Sequence, residues 1–582
     1  MSFKYNLKGT SIGFSNIVET ILKNRDIENI NDFLNPNASH LEDESLYDHM
    51  ELGFENLLYH IKKDSAIVIV VDCDADGYTS ASVMYQYITH LIMKFNSKST
   101  ITFIVHDDKA HGLDEITLNR IIKIECGCNL IILPDASSND YAEHKYFKNK
   151  GIDILVIDHH GCERYSENAI VINNQLSTQV TNKTMTGVGV CYKFIKYIDK
   201  KLNLNCADDY LDLVAIGMIG DVSDLRNLES RYLVLKGIEL IIKGQNKNKF
   251  ISALIKDKAY DMKNEVSIIG IGFYIVPLIN ALIRNGTYEE KELMFKAFLN
   301  INEKHIDKIR GKGEVELSLQ DYVVRIGNKC KRKQKKLVDE AVEVAKIQVD
   351  QYKLNNNGII IINATGLTEK NYTGLLANKL TNIYQRPCFL LSSHDEDFAG
   401  SARGYDKKDI KDVRKWCIDS GLFNYALGHP NACGISIHNS KINDLYEVVS
   451  KIQVSNFLIY DVDGIFNDKT LNKTIIESVA KHKNIWGNSV DEPLFAIENL
   501  VVNSKDIELM GKNKNTIKIN HDGIALMKFF TNEDRYNDMK QHQAINVTII
   551  GKFSINEYNG KITPQIIIED FMYTPSVVKF RF

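Results

Sequence analysis

The sequence predicts an α/β chain. A doubly wound parallel-sheet domain comes first, then a long connecting helix, a second α/β domain and an OB-like β-barrel. Three observations predict this. Apolar runs of strand length alternate with helix-period segments through the first third of the chain. A second alternation of the same kind begins at Gly358. From about Asn484 onward, short alternating strands are punctuated by turn signals such as Asn559-Gly560.

Taken in order, Ala66 to Val71, Ile101 to Val105, Asn129 to Leu133 and Ile154 to Ile157 are rich in Val, Ile and Leu, as expected of strands buried on both faces. Thr79 to Met93 and Glu115 to Ile124 have helical spacing between them. Three of the strands end at or within two residues of a carboxylate: Asp72, Asp135 and Asp158. Ligands of open parallel sheets bind outside the carboxyl ends of the strands, so these side chains are expected to converge there. Gly187 to about Phe298 reads as mostly helical. Within it, Ile268 to Ile283 is apolar apart from Asn280, but it is shorter than the roughly 20 residues of a membrane span and Pro277 interrupts it. It is expected to be a buried element near the active site. Ser318 to Tyr352 is one charged helix with apolar positions Leu337, Ala341, Val344 and Ala345. Its Lys329, Lys331, Arg332, Lys333, Lys335 and Lys336 form either a solvated face or a phosphate-facing wall. In the second α/β segment, strands are expected near Ile359 to Ile362 and Pro387 to Leu391.

Composition narrows the class. With 71 basic and 75 acidic residues the net charge is -4, so this is not a basic protein that coats DNA non-specifically, although a local positive channel remains compatible. Only 8 prolines and 34 glycines among 582 residues exclude collagen-like and Pro-rich architectures. The 10 cysteines are scattered, and Cys126 with Cys128 lacks a second pair at zinc spacing, so free thiols in a reducing cytoplasm are expected. Met1 to Tyr5 runs into polar residues with no apolar leader segment, in keeping with that compartment.

The chemistry is concentrated at strand ends. Asp72-Cys73-Asp74-Ala75-Asp76-Gly77 places three carboxylates at alternating positions before a helix, a donor set for a hard cation. It lacks the later bidentate Glu of a calcium-binding helix–loop–helix. Asp158-His159-His160 follows another apolar strand and adds imidazole, a mixture that suits manganese. Ala215-Ile216-Gly217-Met218-Ile219-Gly220-Asp221 carries one more carboxylate on an apolar helix, where an unpaired charge would be costly.

These motifs, in this order, resemble the DHH phosphoesterase superfamily and within it the RecJ single-strand-specific DNA exonucleases. Asp72 to Gly77 resembles the first family motif, Asp135 the second, Asp158-His159-His160 the third, and Asp221 with Leu225 and Ser230-Arg231 the fourth. Thr186 to Val190 resembles the family's glycine-containing helix start, and Asn24-Arg25 with Phe33 to Pro36 the segment before the catalytic domain. Gly400 to Arg403 and Gly428 to Gly434 resemble the DHH-associated substrate-binding domain, and Gly487-Asn488 with Glu492 to Phe495 the start of the OB domain. The resemblance implies a helical lead-in over 1–50, a catalytic domain over 51–315, a connecting helix over 316–355, a substrate-binding domain over 356–456 and an OB-like domain over 457–582. There are departures. Ala136-Ser137-Ser138 stands where Asn-Gly is usual, Leu278 where an arginine is common, and Leu427 in place of the first glycine of Gly-Gly-His. They resemble a divergent branch of phage or prophage type.

The resemblance further implies two Mn²⁺ ions, with Mg²⁺ as the alternative. Asp72 and Asp74 would hold one ion and Asp76, His159 and Asp221 the other, with Asp135 bridging. Asp158 would orient the histidines and His160 would contact the scissile phosphate. Arg284, Ser401, Arg403, Gly428 and His429 would bind the substrate backbone in a cleft that admits one strand. The implied activity is 5′ to 3′ hydrolysis of single-stranded DNA to 5′-mononucleotides in recombination and repair. Expected partners are single-stranded DNA and single-strand-binding protein, with no membrane, for a monomer. The rival readings are an oligoribonuclease or nucleotide phosphatase with the same metal motifs, a pyrophosphatase, and a non-catalytic binding module. His106 and His111, in the loop before Gly112, are given no role, and Phe529, Phe530 and Tyr558 are weighed as base-stacking residues but expected mostly to pack in the core.

Overall fold

The computed structural model describes residues 2–10, 16–107, 111–124, 127–453, 455–558 and 561–576. Cys126, the Asn559-Gly560 turn and the side chain of Tyr558 lie outside them. Two compact units are present: one comprises Asn31–Gln334 with Asn484–Asp491, the other Met1–Ile30, Lys335–Lys483 and Glu492–Phe582.

The amino-terminal segment corrects one expectation. It opens with a strand, β1 (Ser2–Leu7), before its helices, and that strand pairs in parallel with Phe457–Val462. Alternating side chains explain it: Phe3 is buried against Leu458, Tyr460 and Val462. The partner lies far along the sequence, so a local reading registers only the helices that follow.

The first unit is built on a parallel sheet of β2 (Ala66–Val71), β3 (Thr100–Val105), β4 (Leu130–Pro134), β5 (Asp153–Asp158) and β6 (Ile170–Asn173), in the order β3-β2-β4-β5-β6. Alternate residues of β2 enter two different cores. Ile67, Ile69 and Val71 pack with Leu57, Ile61, Tyr87 and Val190, whereas Val68 and Val70 pack with Ile121 and Phe147. Both faces of the sheet are therefore covered, which is the doubly wound arrangement and the reason the strands read as continuous apolar runs. The first strand lies between the second and the third, so the winding direction reverses between β2 and β4. A crevice at the carboxyl ends of those two strands follows from that reversal.

The helices Gly187–Leu202, Leu211–Gly220 and Leu228–Ile242 continue this core. Residues 268–285 form one apolar helical stretch with a π-helical turn at Ile271–Ile275. By length and composition it is the one helix among the described residues that matches a membrane span, but Ile268, Ile271, Ile275, Leu278, Ile279 and Leu282 are packed in the core. A hairpin of Lys304–Ile309 and Gly313–Ser318 precedes the long helix Leu319–Gln351.

Two further sheets build the second unit. One has five strands in the order Tyr425–His429, Ala432–His438, Asp397–Arg403, Cys388–His394, Ile360–Asn363, with only the last pair parallel. The other has seven strands around the long hairpin of Ala544–Tyr558 and Lys561–Pro575. Its edges are Gly464–Asn467 and Ile507–Met510, and among the described residues they pair with no further strand. The expected barrel is thus an open OB-like sheet, because closure requires ladder bonds between first and last strands.

Candidate metal centre

The strand ends deliver the acidic residues as the sheet topology requires. Asp72 directly follows β2 and Asp135 directly follows β4, while Asp158 is the last residue of β5. Asp74 caps the helix Ala75–Lys94 by accepting from Gly77 N–H at 3.0 Å, which fixes the alternation of three carboxylates at the turn. Acceptor atoms of Asp72, Asp74 and Asp135 lie within 4.8 Å of one another, as do those of Asp76, His159 and Asp221.

Asp135 occupies the left-handed region, with φ +67°, and its N–H donates to Ile157 O at 2.8 Å. Gly187 closes over it. A Cβ there would stand 2.6 Å from Asp135 Cβ, so only glycine lets the helix Gly187–Leu202 start at this point. The start of that helix in turn holds Asp76, whose carboxylate accepts from Gly187 N–H at 2.7 Å, Val188 N–H at 3.1 Å and Thr186 Oγ1 at 3.2 Å. Helix amino termini favour negative charge. Asp221 has the opposite setting: it follows the carboxyl end of Leu211–Gly220, where the helix dipole disfavours a carboxylate. The next residue, Val222, is strained at φ +55°.

Burial first, and then neighbouring carboxylates, push the carboxyls of Asp74, Asp76 and Asp135 above their ordinary range, and Asp221 up to about 7. Asp135 is 1% exposed and, among the described residues, its Oδ1 accepts no hydrogen bond. His159 Nε2 lies 3.2 Å from that oxygen and 3.6 Å from Asp221 Oδ2 without completing a hydrogen bond to either. Burial pushes the His159 imidazole down to about 4, so it presents a lone pair rather than a cation. A buried carboxylate oxygen without a donor, crowded by acidic neighbours and a neutral imidazole, fits a bound divalent cation, and this donor set could hold one.

Asp158 is arranged differently. Burial raises its carboxyl, but the hydrogen bond and charge of His160 more than offset this and keep it below the usual carboxylate range. Its Oδ1 accepts from His159 N–H at 2.7 Å and from His160 N–H and Nδ1 at 3.1 and 2.8 Å, and its Oδ2 accepts from Ser138 N–H at 3.1 Å. Ser138 thus takes part in the site despite the departure at 136–138. Burial lowers the His160 imidazole, but Asp158 outweighs it and raises it to about 9.

Arg284 lies at the end of the apolar stretch, within the field of Asp74 and Cys73, with burial depressing its guanidinium pKa. Ser401, Arg403, Gly428 and His429 belong to the other unit. Strand register puts Arg403, Ala432 and His429 in one row across three strands. Ser401 Oγ lies 3.0 Å from Thr373 Oγ1 at the start of the helix Thr373–Tyr384. Arg403 Nη2 covers the same helix start, 2.5 Å from where a Cβ on Gly374 would stand. Gly428 needs its residue type, with φ +127°.

Sequence reasoning missed His111, whose Nδ1 donates to Asp72 Oδ2 at 2.7 Å. The Gly112 that follows it, at φ +65°, was the available signal for a turn aimed at the strand end. His106 is instead a core residue, 3.1 Å from Thr117 Oγ1. Asn488 also reaches this unit, donating to Ile219 O at 3.2 Å. Arg231, fully buried, donates to Phe33 O at 2.6 Å and Ile485 O at 3.2 Å.

A doubly wound sheet with Asp, Asp and Asp-His-His at successive strand ends defines a DHH-type domain. The model of the DHH family N-terminal domain matches residues 66–218, and that of the RecJ OB domain matches 462–570. The chain belongs to the RecJ-type DHH family. It is 39% identical over 97% of both chains to a Bacillus subtilis protein, YorK, named as an SPbeta prophage-derived single-strand DNA-specific exonuclease. It is 26% identical to the single-stranded-DNA-specific exonuclease RecJ of the same species, over 91% of this chain and 65% of that one. A crystal structure of RecJ from Thermus thermophilus in complex with Mn²⁺ superposes with a TM-score of 0.69 at 16% identity, covering 99% of this chain and 80% of that one. At that identity the likeness is one of fold. A Mg²⁺ complex of the same protein gives a TM-score of 0.65, also at 16% identity, covering 99% of this chain and 79% of that one.

Proposed function

We propose that this chain is a metal-dependent exonuclease that hydrolyses single-stranded DNA from its 5′ end to 5′-mononucleotides. The observation that carries the reading is the donor-free Oδ1 of buried Asp135 amid Asp72, Asp74, Asp76, Asp221 and neutral His159. Asp72 and Asp74 would hold one Mn²⁺ or Mg²⁺ ion and Asp76, His159 and Asp221 a second, with Asp135 shared. Bound there, paired divalent ions would supply an activated water and charge compensation for the phosphate oxygens.

The remaining residues act on substrate and on one another. The Asp158 carboxylate accepts from the backbone N–H of both histidines and from His160 Nδ1, so the half-exposed His160 side chain is presented with its Nδ1 proton fixed and its Nε2 unengaged by Asp158. That nitrogen donates to the scissile phosphate or passes a proton to the leaving oxygen. Arg284 adds a fork of donors for phosphate beside Asp74. Ser401, Arg403, Gly428 and His429 hold the DNA backbone near a helix start, where backbone N–H groups favour phosphate. Names of the relatives support the substrate class. Single-strand-binding protein as partner, a monomeric state, cytoplasmic action and a role in recombination and repair belong to the same proposal.

The test is hydrolysis of long single-stranded DNA labelled at either end, in Mn²⁺ and in Mg²⁺, beside a short RNA. Mononucleotides released from the 5′ end, and none from the Asp135→Ala protein, support the proposal. Degradation of the short RNA alone replaces it with the oligoribonuclease reading.

A further inference from the structure

Asp72 belongs to two groups. Donor atoms of Asp74 and Asp135 lie within 4.8 Å of one of its oxygens. The turn at Gly112 also brings His111 Nδ1 to 2.7 Å from Asp72 Oδ2 and Gly112 N to 3.3 Å from Oδ1. Cys73 completes this second group: its Sγ lies 3.9 Å from His111 Nδ1 and 3.8 Å from Nε2. One donor atom each from Asp72, Cys73 and His111 fall within 4.8 Å of one another.

The two groups differ in chemistry. Asp72, Asp74 and Asp135 offer only carboxylate oxygen, which suits hard cations. Asp72, Cys73 and His111 offer oxygen, sulfur and nitrogen, the donors that bind borderline and soft cations such as Zn²⁺. With its Nδ1 proton committed to Asp72, His111 offers Nε2, and the 3.8 Å from that atom to Cys73 Sγ is compatible with one tetrahedral ion at ordinary bond lengths of about 2.0–2.3 Å. Cys73 and Asp72 are buried, whereas the His111 side chain is 51% exposed, so an ion has a route in and three protein donors leave a position open.

We propose that Asp72, Cys73 and His111 form a separate site for a Zn²⁺-type cation, and that filling it withdraws Asp72 from the carboxylate set. A soft metal thereby regulates the enzyme by competing with Mn²⁺ for a shared ligand. The competition rests on the proposed reading that Asp72 holds Mn²⁺; the site itself does not.

The experiment uses the full chain stripped of metal. Co²⁺ is the spectroscopic probe, because a thiolate ligand gives a charge-transfer band that carboxylates and imidazoles do not. The band is expected in the wild type and in Asp135→Asn, and is expected to vanish in Cys73→Ser. Zn²⁺ affinity, measured against a chromophoric chelator, should fall by about tenfold or more in both Cys73→Ser and His111→Gln. Absence of the band from saturated, folded wild-type protein overturns the site, as does equal Zn²⁺ affinity in all three proteins. Electron paramagnetic resonance of Mn²⁺ reads the competition: stoichiometric Zn²⁺ should release Mn²⁺, and retained Mn²⁺ overturns the regulatory claim. If Asp135→Asn keeps both Mn²⁺ binding and hydrolysis, the proposed function fails while the thiolate band still decides the Zn²⁺ site.

Discussion

Replacing Asp135 by asparagine should stabilise the metal-free protein while abolishing its response to metal. The substitution keeps the shape of the side chain, so no cavity forms, but removes a carboxylate that is 1% exposed and stands among Asp72, Asp74, Asp76 and Asp221. One like-charge pair at about 4 Å costs about 1 kcal/mol in water and about 4 kcal/mol at the effective dielectric of a protein surface. Linkage sets a ceiling. An unfolded aspartate titrates near 3.9, so keeping Asp135 protonated at pH 7 costs at most about 4 kcal/mol. The expected gain is therefore about 1–4 kcal/mol in chelator, a rise in Tm of roughly 2 °C or more. In Mn²⁺ the gap should shift by about 2.7 kcal/mol in favour of the wild type at one hundred times its Kd, because the variant gains little. Thermal unfolding in chelator and in Mn²⁺ measures both. An Asp135→Asn protein that melts below the wild type in chelator would refute the argument that this carboxylate is held at a cost.

Three further outcomes are expected. Gly187→Ala should destabilise by about 1–3 kcal/mol and weaken Mn²⁺ binding, since its Cβ must displace either Asp135 or the helix start; calorimetric titration and chemical denaturation check the two parts. Metal-free protein should lose stability as pH rises from about 4 to about 7: the raised carboxyls, Asp221 at about 7 among them, hold protons in the folded state that the unfolded chain has released. Saturating Mn²⁺ should remove that slope, and melts at pH 5 and pH 7 compare the two. Arg25→Ala should cost about 3–5 kcal/mol, because Asp463 is buried and receives Arg25 Nε at 3.0 Å and Nη2 at 2.8 and 2.9 Å; urea denaturation measures it.

Local pattern alone shows where the candidate metal ligands lie along the chain. Strands buried on both faces must be apolar throughout, so Ala66–Val71 or Asp153–Asp158 stands out, and a carboxylate at its end is conspicuous. Asp72, Asp74, Asp76, Asp135, Asp158, His159 and His160 were legible for that reason, Asp221 because it ends an apolar helix, and the long helix and the two α/β segments from their periodicity. Tertiary structure decided whatever depends on partners distant in sequence. The pairing of β1 with Phe457–Val462, the attachment of Asn484–Asp491 to the first unit and the open edges of the seven-stranded sheet have no local pattern. His111 is the instructive case. Loop histidines are usually solvated, and only the backbone turn at Gly112 brings this one onto Asp72. Periodicity is set by neighbours a few residues away, whereas the meeting of His111, Cys73 and Asp72 is set by how β2 and the loop after β3 pack side by side.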